Sequence, residues 1–144
     1  MNVQPIPEGL HTVTPFLMIQ GAAKLIEFLR KSFDAQEKEC IVCPDGSVAH
    51  AQVIIGDSVV MISDLRGHGF PRSATLYLYL ADADAAYASA LVAGATSLME
   101  PQNMFWGDRL AIVQDPFGNN WQIATHVEDV SPEESQRRLA NPRK

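Results

Sequence analysis

The stretch MFWGDRLAIVQDPFGNNWQIATH, residues 104–126, decides the fold because it contains a complete hairpin. Residues 108–115 and 119–126 both have the composition of strands, and the Asp-Pro-Phe-Gly between them is a typical turn sequence. Its aromatic, glycine, aspartate and arginine residues also raise the question whether this hairpin lines an active site. The pattern predicts a hairpin by its turn chemistry and a pocket wall by the side chains on one face.

Working outward from this hairpin, the second half of the chain reads β-α-β-β-β. Residues 74–81 form an apolar and aromatic strand, and residues 82–95 form a helix with Asp82 as its N-cap and Gly94 as its stop. Residues 96–100 add a short strand before the hairpin.

The first half of the chain has the same order of elements. Residues 11–19 predict a strand, in which Pro15 indicates an edge position or a bulge. Residues 21–33 have the apolar spacing of an amphipathic helix. Residues 37–43 and 47–55 flank a Pro-Asp-Gly turn, and residues 58–64 give the last strand.

The two halves are therefore an internal repeat. The helix starts at Gly21 and Asp82 lie 61 residues apart, and the glycines before the last strands, Gly56 and Gly118, lie 62 apart. Neither half has much core of its own, so we expect an α+β fold in which two paired βαβββ modules form a curved mixed sheet around a cup-shaped cavity. The predicted boundaries are a lead-in at 1–10, modules at 11–64 and 74–128, a linker at 65–73, and a tail at 129–144.

The tail predicts a short helix that is structural or part of a subunit contact. Ser131 is its N-cap, Pro132 takes the first helical position, and Glu134 completes a capping box.

Composition and charge narrow the classes of partner. The net charge of -6 and the isoelectric point near 5.1 argue against nucleic acid and anionic membranes. No apolar run is long enough to span a bilayer, and the N-terminus lacks the pattern of a signal peptide, so we expect a cytoplasmic protein. Cys40 and Cys43 are then expected to be free thiols; three residues apart in a strand, they face opposite sides and cannot chelate together.

Three segments carry a resemblance to a known family. VTPFLMIQGAAKLIEFLRKSF (13–33), GSVAHAQVIIGDSVVMISD (46–64) and MFWGDRLAIVQDPFGNNWQIATHVEDVS (104–131) resemble the PhnB-like group of the vicinal oxygen chelate superfamily. Its members include glyoxalase I, bleomycin-resistance proteins and extradiol dioxygenases. The resemblance implies a glyoxalase-like fold, a frequent homodimer, and a divalent metal that acts as a Lewis acid or a redox iron.

The ligand set that the resemblance implies is mostly missing. The family positions fall at Thr14, at Val60 or Met61, at Thr75 and at Gln122, where only the glutamine offers a usable oxygen. We therefore expect no cofactor and no usual metal site, although a divalent metal with an atypical ligand set stays possible.

The candidate site residues come from the predicted cup. His50, on a central strand, is either an acid–base or binding group or a hydrogen-bonded core histidine. Arg109 binds a carboxylate or phosphate of a ligand, or else Asp108 and Arg109 pair with each other or cap a turn locally. The predicted wall of a cavity for a small organic ligand consists of Phe16, Met18, Tyr77, Tyr79, Trp106 and Gln122.

The remaining histidines are weaker candidates for a functional role. His126 ends the last strand, where it could bind a metal with Glu128 and Asp129 or belong to a surface cluster. His11 precedes the first strand and His68 lies in the linker. Trp121 alternates with Gln122, so it should pack on the helix side if Gln122 faces the cup.

Two functions of different class stay open. The first is a binding protein that holds a small aromatic or apolar molecule in a cup without the usual metal ligands, as bleomycin-resistance proteins do. The second is a metal-dependent lyase, isomerase or dioxygenase with an atypical ligand set, or a metal-free enzyme that uses His50 as a base. A homodimer is expected in either case, by analogy with the superfamily.

Overall fold

The computed structural model describes residues 3–65 and 72–141. Most of the predicted linker, including His68, lies outside the described residues. The chain divides into two compact units, Met1–Ala74 and Thr75–Lys144, and each unit has its own sheet and helix.

Each unit contains the predicted β-α-β-β-β order around its own four-stranded mixed sheet. The first sheet has the strand order β1-β4-β3-β2 and the second has the order β5-β8-β7-β6, with the first and last strands of each module parallel. The elements are β1 (Phe16–Ile19), α1 (Ala22–Phe33), β2 (Gln36–Val42), β3 (Val48–Ile55), β4 (Ser58–Asp64), β5 (Thr75–Tyr79), α2 (Ala83–Val92), β6 (Thr96–Asn103), β7 (Asp108–Gln114), β8 (Asn120–His126) and α3 (Pro132–Ala140).

The strand predicted over 11–19 is correct only in its second half, because β1 begins at Phe16. Pro15 has no backbone N–H to give to a ladder, and its carbonyl alone joins the sheet by accepting from Met61 N at 2.9 Å. The prediction of an edge position is confirmed, since β1 has a single neighbour in its sheet.

The strand predicted over 96–100 is too short, because β6 extends to Asn103 in spite of Pro101. This strand is also at an edge, and its pairing with β7 is irregular between Met99 and Gln102. An edge strand with a bulge tolerates a proline, which a central strand does not.

Each module helix covers one face of its own sheet, and the largest buried side chains lie there. In the first unit, Leu25 and Leu29 of α1 are fully buried together with Ile62 of β4. In the second unit, Trp121 has no exposed surface, and its indole N–H donates to Asp115 Oδ2 at 2.8 Å. Trp121 lies on the helix side of β8, as predicted, because it shares that face with Thr125, whose hydroxyl bonds to Ala83 N at the start of α2.

The start of each module helix is capped from the end of the module's last strand. In the first unit, Asp64 Oδ1 accepts from Gly21 N and Ala22 N, both at 2.9 Å. In the second unit, the hydroxyl of Thr125 accepts from Ala83 N at 2.8 Å. Because Ala83 lies 61 residues after Ala22, as Thr125 does after Asp64, these contacts are equivalent in the repeat. Asp82 adds the predicted cap by accepting from Ala85 N at 3.0 Å.

The C-terminal helix α3 is also confirmed, with Ser131 Oγ accepting from Glu134 N at 3.1 Å. The carboxylate of Glu134 binds Arg137 and Arg138 instead of closing the capping box. No side chain of α3 is buried, so hydrogen bonds and ion pairs, rather than core packing, attach the helix to its unit. Arg138 donates to Phe105 O at 2.9 Å and pairs with Glu128 at 3.0 Å.

Candidate functional site

The two faces of the second sheet differ, and only one is covered by α2. Arg109 and Thr125 lie on the helix side, where they bond to Asp84 and Ala83. The alternation of side chains places Tyr77 and Tyr79 on the opposite side, which we call the tyrosine face. Pairing brings Gln122 of β8 beside Tyr77, and His126 beside Asp108, onto this same face.

Asp108 is the centre of the tyrosine face. It is 1% exposed, and its Oδ2 accepts from the hydroxyls of Tyr77 at 2.6 Å and Tyr79 at 2.9 Å. The indole N–H of Trp106 donates to the same oxygen at 3.1 Å and approaches the Tyr77 hydroxyl at 3.2 Å. A buried carboxylate needs such a set of donors, because each unsatisfied charge in the interior is costly.

The tyrosines reach Asp108 across a strand. Tyr77 and Tyr79 lie on β5 and Asp108 lies on β7, with β8 between them. The residue of β8 that pairs with Tyr79 is Ala124, a small and fully buried side chain. A small residue at this position leaves room for the two phenol rings to extend over the sheet toward the carboxylate.

The turn before β7 positions Trp106 and Asp108. Met104 N donates to Asp108 O at 2.7 Å, and Gly107 N closes the turn by donating to Met104 O at 3.1 Å. Gly107 has φ of 103°, and a Cβ there would overlap the carbonyl oxygen of Glu128. Only glycine allows the exit of β8 to pass this close to the turn.

His126 extends the cluster from the carboxylate to the surface. Its Nδ1 lies 2.9 Å from Asp108 Oδ1, and its Nε2 lies 2.7 Å from Asp129 Oδ1. Both partners are carboxylates, which only accept hydrogen bonds when ionised, so this arrangement favours an imidazolium with both nitrogens protonated. We call Tyr77, Tyr79, Trp106, Asp108, His126 and Asp129 the Asp108 cluster.

The cluster shifts the acidities of its members in consistent directions. Burial acts to raise the pKa of Asp108, but hydrogen bonds from Tyr77, His126, Tyr79 and Trp106 outweigh it and leave that pKa below its usual value. Burial and then the bond to Asp108 raise the pKa of Tyr77 to about 12. The bonds to Asp108 and Asp129 raise the pKa of His126.

The structure brings some of the predicted site residues together and separates others. Tyr77, Tyr79 and Trp106 meet at Asp108, as a shared pocket wall would require. Arg109 lies on the opposite face, where its guanidinium forms two bonds to Asp84, at 2.6 and 2.9 Å. The local alternative of an Asp108–Arg109 pair is wrong, because neighbouring residues of a strand point to opposite faces.

Three of the predicted site residues, Phe16, Met18 and His50, belong to the first unit. Phe16 and Met18 of β1 are exposed, and the Phe16 ring meets the half-buried His50 edge-on with centroids 5.7 Å apart. The role of His50 as a base stays a prediction.

The residues at the family's metal positions do not fit a divalent metal. Thr14, Met61, Thr75 and Gln122 offer hydroxyl, thioether and amide groups, which are neutral and weaker ligands for such ions than imidazole and carboxylate. Within residues 3–65 and 72–141, no three His, Cys, Asp or Glu side chains gather as a metal site would need. His126 cannot serve with Asp108 and Asp129, since its two nitrogens point to different carboxylates.

Sequence reasoning overlooked Asp108 as the centre of the site and left His126 between a metal site and a surface cluster. One pattern in the sequence could have shown that Asp108 and His126 lie side by side. Counting outward from the Asp-Pro-Phe-Gly turn in a regular hairpin pairs Gln114 with Asn120 and therefore Asp108 with His126, as the structure has it. The tyrosine contacts had no such signal, because β5 lies far from β7 in the chain.

One further observation concerns the membrane. Over the described ranges, none of the three helices has the length and apolar character needed to cross a bilayer.

Comparison with known proteins identifies the family. The sequence profile of the Glyoxalase/Bleomycin resistance protein/Dioxygenase superfamily matches residues 9–123. A relative, an uncharacterized protein of Mycobacterium bovis, is 32% identical in an alignment 152 positions long, which covers 98% of this chain and 96% of the relative. An uncharacterized protein of Mycobacterium tuberculosis strain H37Rv has the same identity, and the match covers 86% of its length.

Solved structures share the fold at low identity. TioX from Micromonospora sp. ML1 superposes with a TM-score of 0.65 at 19% identity, covering 80% of this chain and 99% of TioX. The PhnB protein from Bacillus cereus, described as a putative 3-demethylubiquinone-9 3-methyltransferase, gives 0.58 at 19%, covering 78% and 97%. With the repeated βαβββ module and the profile match over most of its length, this chain belongs to the glyoxalase/bleomycin resistance protein/dioxygenase superfamily.

Proposed function

We propose that this protein binds a small organic molecule with an aromatic or apolar body on its tyrosine face, without the divalent metal of many superfamily members. One observation carries the proposal. Three aromatic side chains of the tyrosine face, Tyr77, Tyr79 and Trp106, all turn their polar atoms onto the buried carboxylate of Asp108.

This arrangement suits binding because it leaves aromatic surface accessible and holds it in place. Tyr79 is 63% exposed and Tyr77 is 39% exposed, while the hydroxyl of each is fixed by a hydrogen bond. Rings that are already ordered lose little conformational entropy when a ligand arrives. Aromatic side chains also contribute large contact areas, so a few of them suffice for a small ligand.

The neutral groups at the family's metal positions support the same function. A metal-dependent enzyme of the glyoxalase or dioxygenase type would need a Lewis acid or a redox metal held by strong ligands. The metal-dependent alternative therefore lacks a supporting donor set in the described residues.

The two tryptophans provide a direct test of binding. Protein labelled with 5-fluorotryptophan should give two fluorine resonances, which the Trp106→Phe variant assigns. In a screen of small aromatic compounds, we expect ligands that shift the Trp106 resonance and leave that of the buried Trp121 unchanged. A screen in which no compound moves Trp106, or in which both resonances move together, would contradict the proposal.

Metal content separates the two functions. Protein purified without chelator and without a nickel column should contain far less than one equivalent of Mn, Fe, Ni or Zn by plasma mass spectrometry. About one metal per chain or per dimer would overturn the metal-free part of the proposal and favour the enzyme.

We also propose a homodimer, which rests only on the superfamily resemblance. Sedimentation equilibrium at micromolar concentration should give twice the monomer mass of 15.8 kDa. A monomer mass at all concentrations would contradict it.

A further inference from the structure

We propose that the tyrosine face selects cationic ligands, in which a quaternary or protonated amine is attached to an aromatic or apolar body. This inference rests on the proposed function and adds the chemical class of its ligand. It follows from the hydrogen-bond directions and charges of the Asp108 cluster and from the aromatic surface above it.

The first step concerns hydrogen-bond donors. The hydroxyls of Tyr77 and Tyr79 and the indole N–H of Trp106 all donate to Asp108. The two nitrogens of His126 are directed at Asp108 and Asp129. A carboxylate can only accept, so the donors of the cluster are committed to it and the phenols offer an incoming molecule only acceptor lone pairs; one lone pair of Tyr77 already accepts from the Trp106 indole N–H at 3.2 Å.

The second step concerns charge. Asp108 and Asp129 are carboxylates and His126 contributes one positive charge at most, so the cluster keeps a net negative charge. Besides His126, the described part of the second unit has three basic side chains, all arginines in ion pairs: Arg109 with Asp84, Arg137 with Glu134, and Arg138 with Glu128. An anionic ligand would therefore find the donors of the Asp108 cluster already committed to carboxylates and no uncompensated arginine in the described part of the second unit.

The third step concerns the rings themselves. The Tyr77 and Tyr79 rings lie 5.3 Å apart at a tilt of 53°, and the Phe105 ring meets Trp106 edge-on at 4.9 Å. Electron-rich ring faces attract a cation, and Trp and Tyr do so most strongly. Hydrogen bonding of both phenols to a carboxylate increases the electron density of their rings, so the buried charge of Asp108 adds to this attraction.

Three probes of similar shape test the inference on the full-length protein. Phenyltrimethylammonium is cationic, 2-phenyl-2-propanol is neutral, and benzenesulfonate is anionic. Titrations followed at the fluorine resonance of Trp106 should give a dissociation constant for the cation about tenfold below that of the alcohol, with no saturable binding of the sulfonate. Added salt should weaken the binding of the cation and leave that of the alcohol unchanged.

Variants identify the origin of the preference. Asp108→Asn keeps the shape of the side chain, removes its charge, and should reduce the ratio between the dissociation constants of alcohol and cation to about two or less. If Asp108→Asn does not fold, Asp129→Asn provides a second reading, because Asp129 is fully exposed; the ratio should fall, by a smaller factor. Asp57→Asn, in a turn of the first unit, changes the net charge equally and should leave the ratio unchanged.

The outcomes separate this inference from the proposed function. Equal binding of the cation and the alcohol at Trp106 would overturn the inference and leave the proposed function standing. A preference that persists in both Asp108→Asn and Asp129→Asn would also overturn it. If none of the three probes moves Trp106, the inference is overturned, and the broader screen then decides the proposed function by itself.

Discussion

The turn before β3 and the turn before β7 share the same backbone hydrogen bonds and carry different side chains. Cys43 N donates to Ser47 O at 2.8 Å, and Met104 N donates to Asp108 O at 2.7 Å, 61 residues later. Each turn then closes through a glycine with positive φ, Gly46 at 89° and Gly107 at 103°. The first turn reads Pro-Asp-Gly-Ser and the second reads Phe-Trp-Gly-Asp.

The difference teaches how a repeat can specialise without a change of fold. In the first unit, Ser47 follows the glycine and bonds locally to Asp45 Oδ1 at 2.6 Å. In the second unit, Asp108 takes that position and gathers tyrosines, a tryptophan and a histidine. The first strands of the two modules differ as well, because Phe16 and Met18 of β1 stand at the positions equivalent to Tyr77 and Tyr79 of β5.

The largest effect should come from the glycines. Gly107→Ala is expected to lower the free energy of unfolding by about 3–5 kcal/mol, since the left-handed backbone disfavours alanine and the new Cβ overlaps Glu128 O. Gly46→Ala should cost about 1–2 kcal/mol, because it shares the backbone penalty and has open space around its Cβ. Urea denaturation of both variants measures the difference, and equal costs would show that the close approach to Glu128 is not restrictive.

The next effect concerns the residue after each glycine. Asp108→Ala should cost about 2–4 kcal/mol because it removes the acceptor of several partly buried donors, whereas Ser47→Ala should cost less than about 1 kcal/mol. The same denaturation experiment compares the two variants. A cost for Ser47→Ala as large as that for Asp108→Ala would contradict the view that only the second unit is organised around a carboxylate.

The Asp108 effect should also depend on pH. The folded-state pKa of Asp108 is lowered, so its contribution is present above the unfolded value of about 3.9 and is lost as pH falls through the folded pKa. The gap in stability between the wild type and Asp108→Asn should therefore narrow below about pH 4. A gap that widens on acidification would show that the carboxylate is not stabilised by its neighbours.

A smaller difference is expected between the helix caps. Asp64→Ala should cost about 2–3 kcal/mol, because one carboxylate accepts from Gly21 N, Ala22 N and Val48 N. Thr125→Val keeps the shape, removes the acceptor of a single helical N–H, and should cost about 1 kcal/mol. Thermal denaturation ranks the two variants, and a larger cost for Thr125→Val would reverse the comparison.

The smallest effect should come from His126 and should appear mainly as a pH dependence. Asp108 and Asp129 raise its folded-state pKa, so its contribution is fully present below the unfolded value of about 6.5 and is lost as pH rises through the folded value. The difference in Tm between the wild type and His126→Gln should therefore shrink from mildly acidic to alkaline pH. Asp129→Asn should reduce this pH dependence, and a difference that grows with pH would contradict the assignment.

Local signals in the sequence were sufficient for most of the elements and for part of the site. The apolar spacing of α1, the cap at Asp82 and the hairpin around Asp-Pro-Phe-Gly appear where the sequence predicts them. Each depends on residues close together in the chain. The bounds of β1 and β6 were predicted less accurately, because the neighbouring strand decides how far an edge strand continues on either side of a proline.

The sequence by itself determined the repeated module and the aromatic character of β5, since these follow from residue type and spacing. Only the tertiary structure decided that Arg109 bonds to a helix while Asp108, its neighbour, collects the tyrosines. The physical reason is that a strand sends consecutive side chains to opposite faces, and what each then meets comes from strands and helices distant in the chain.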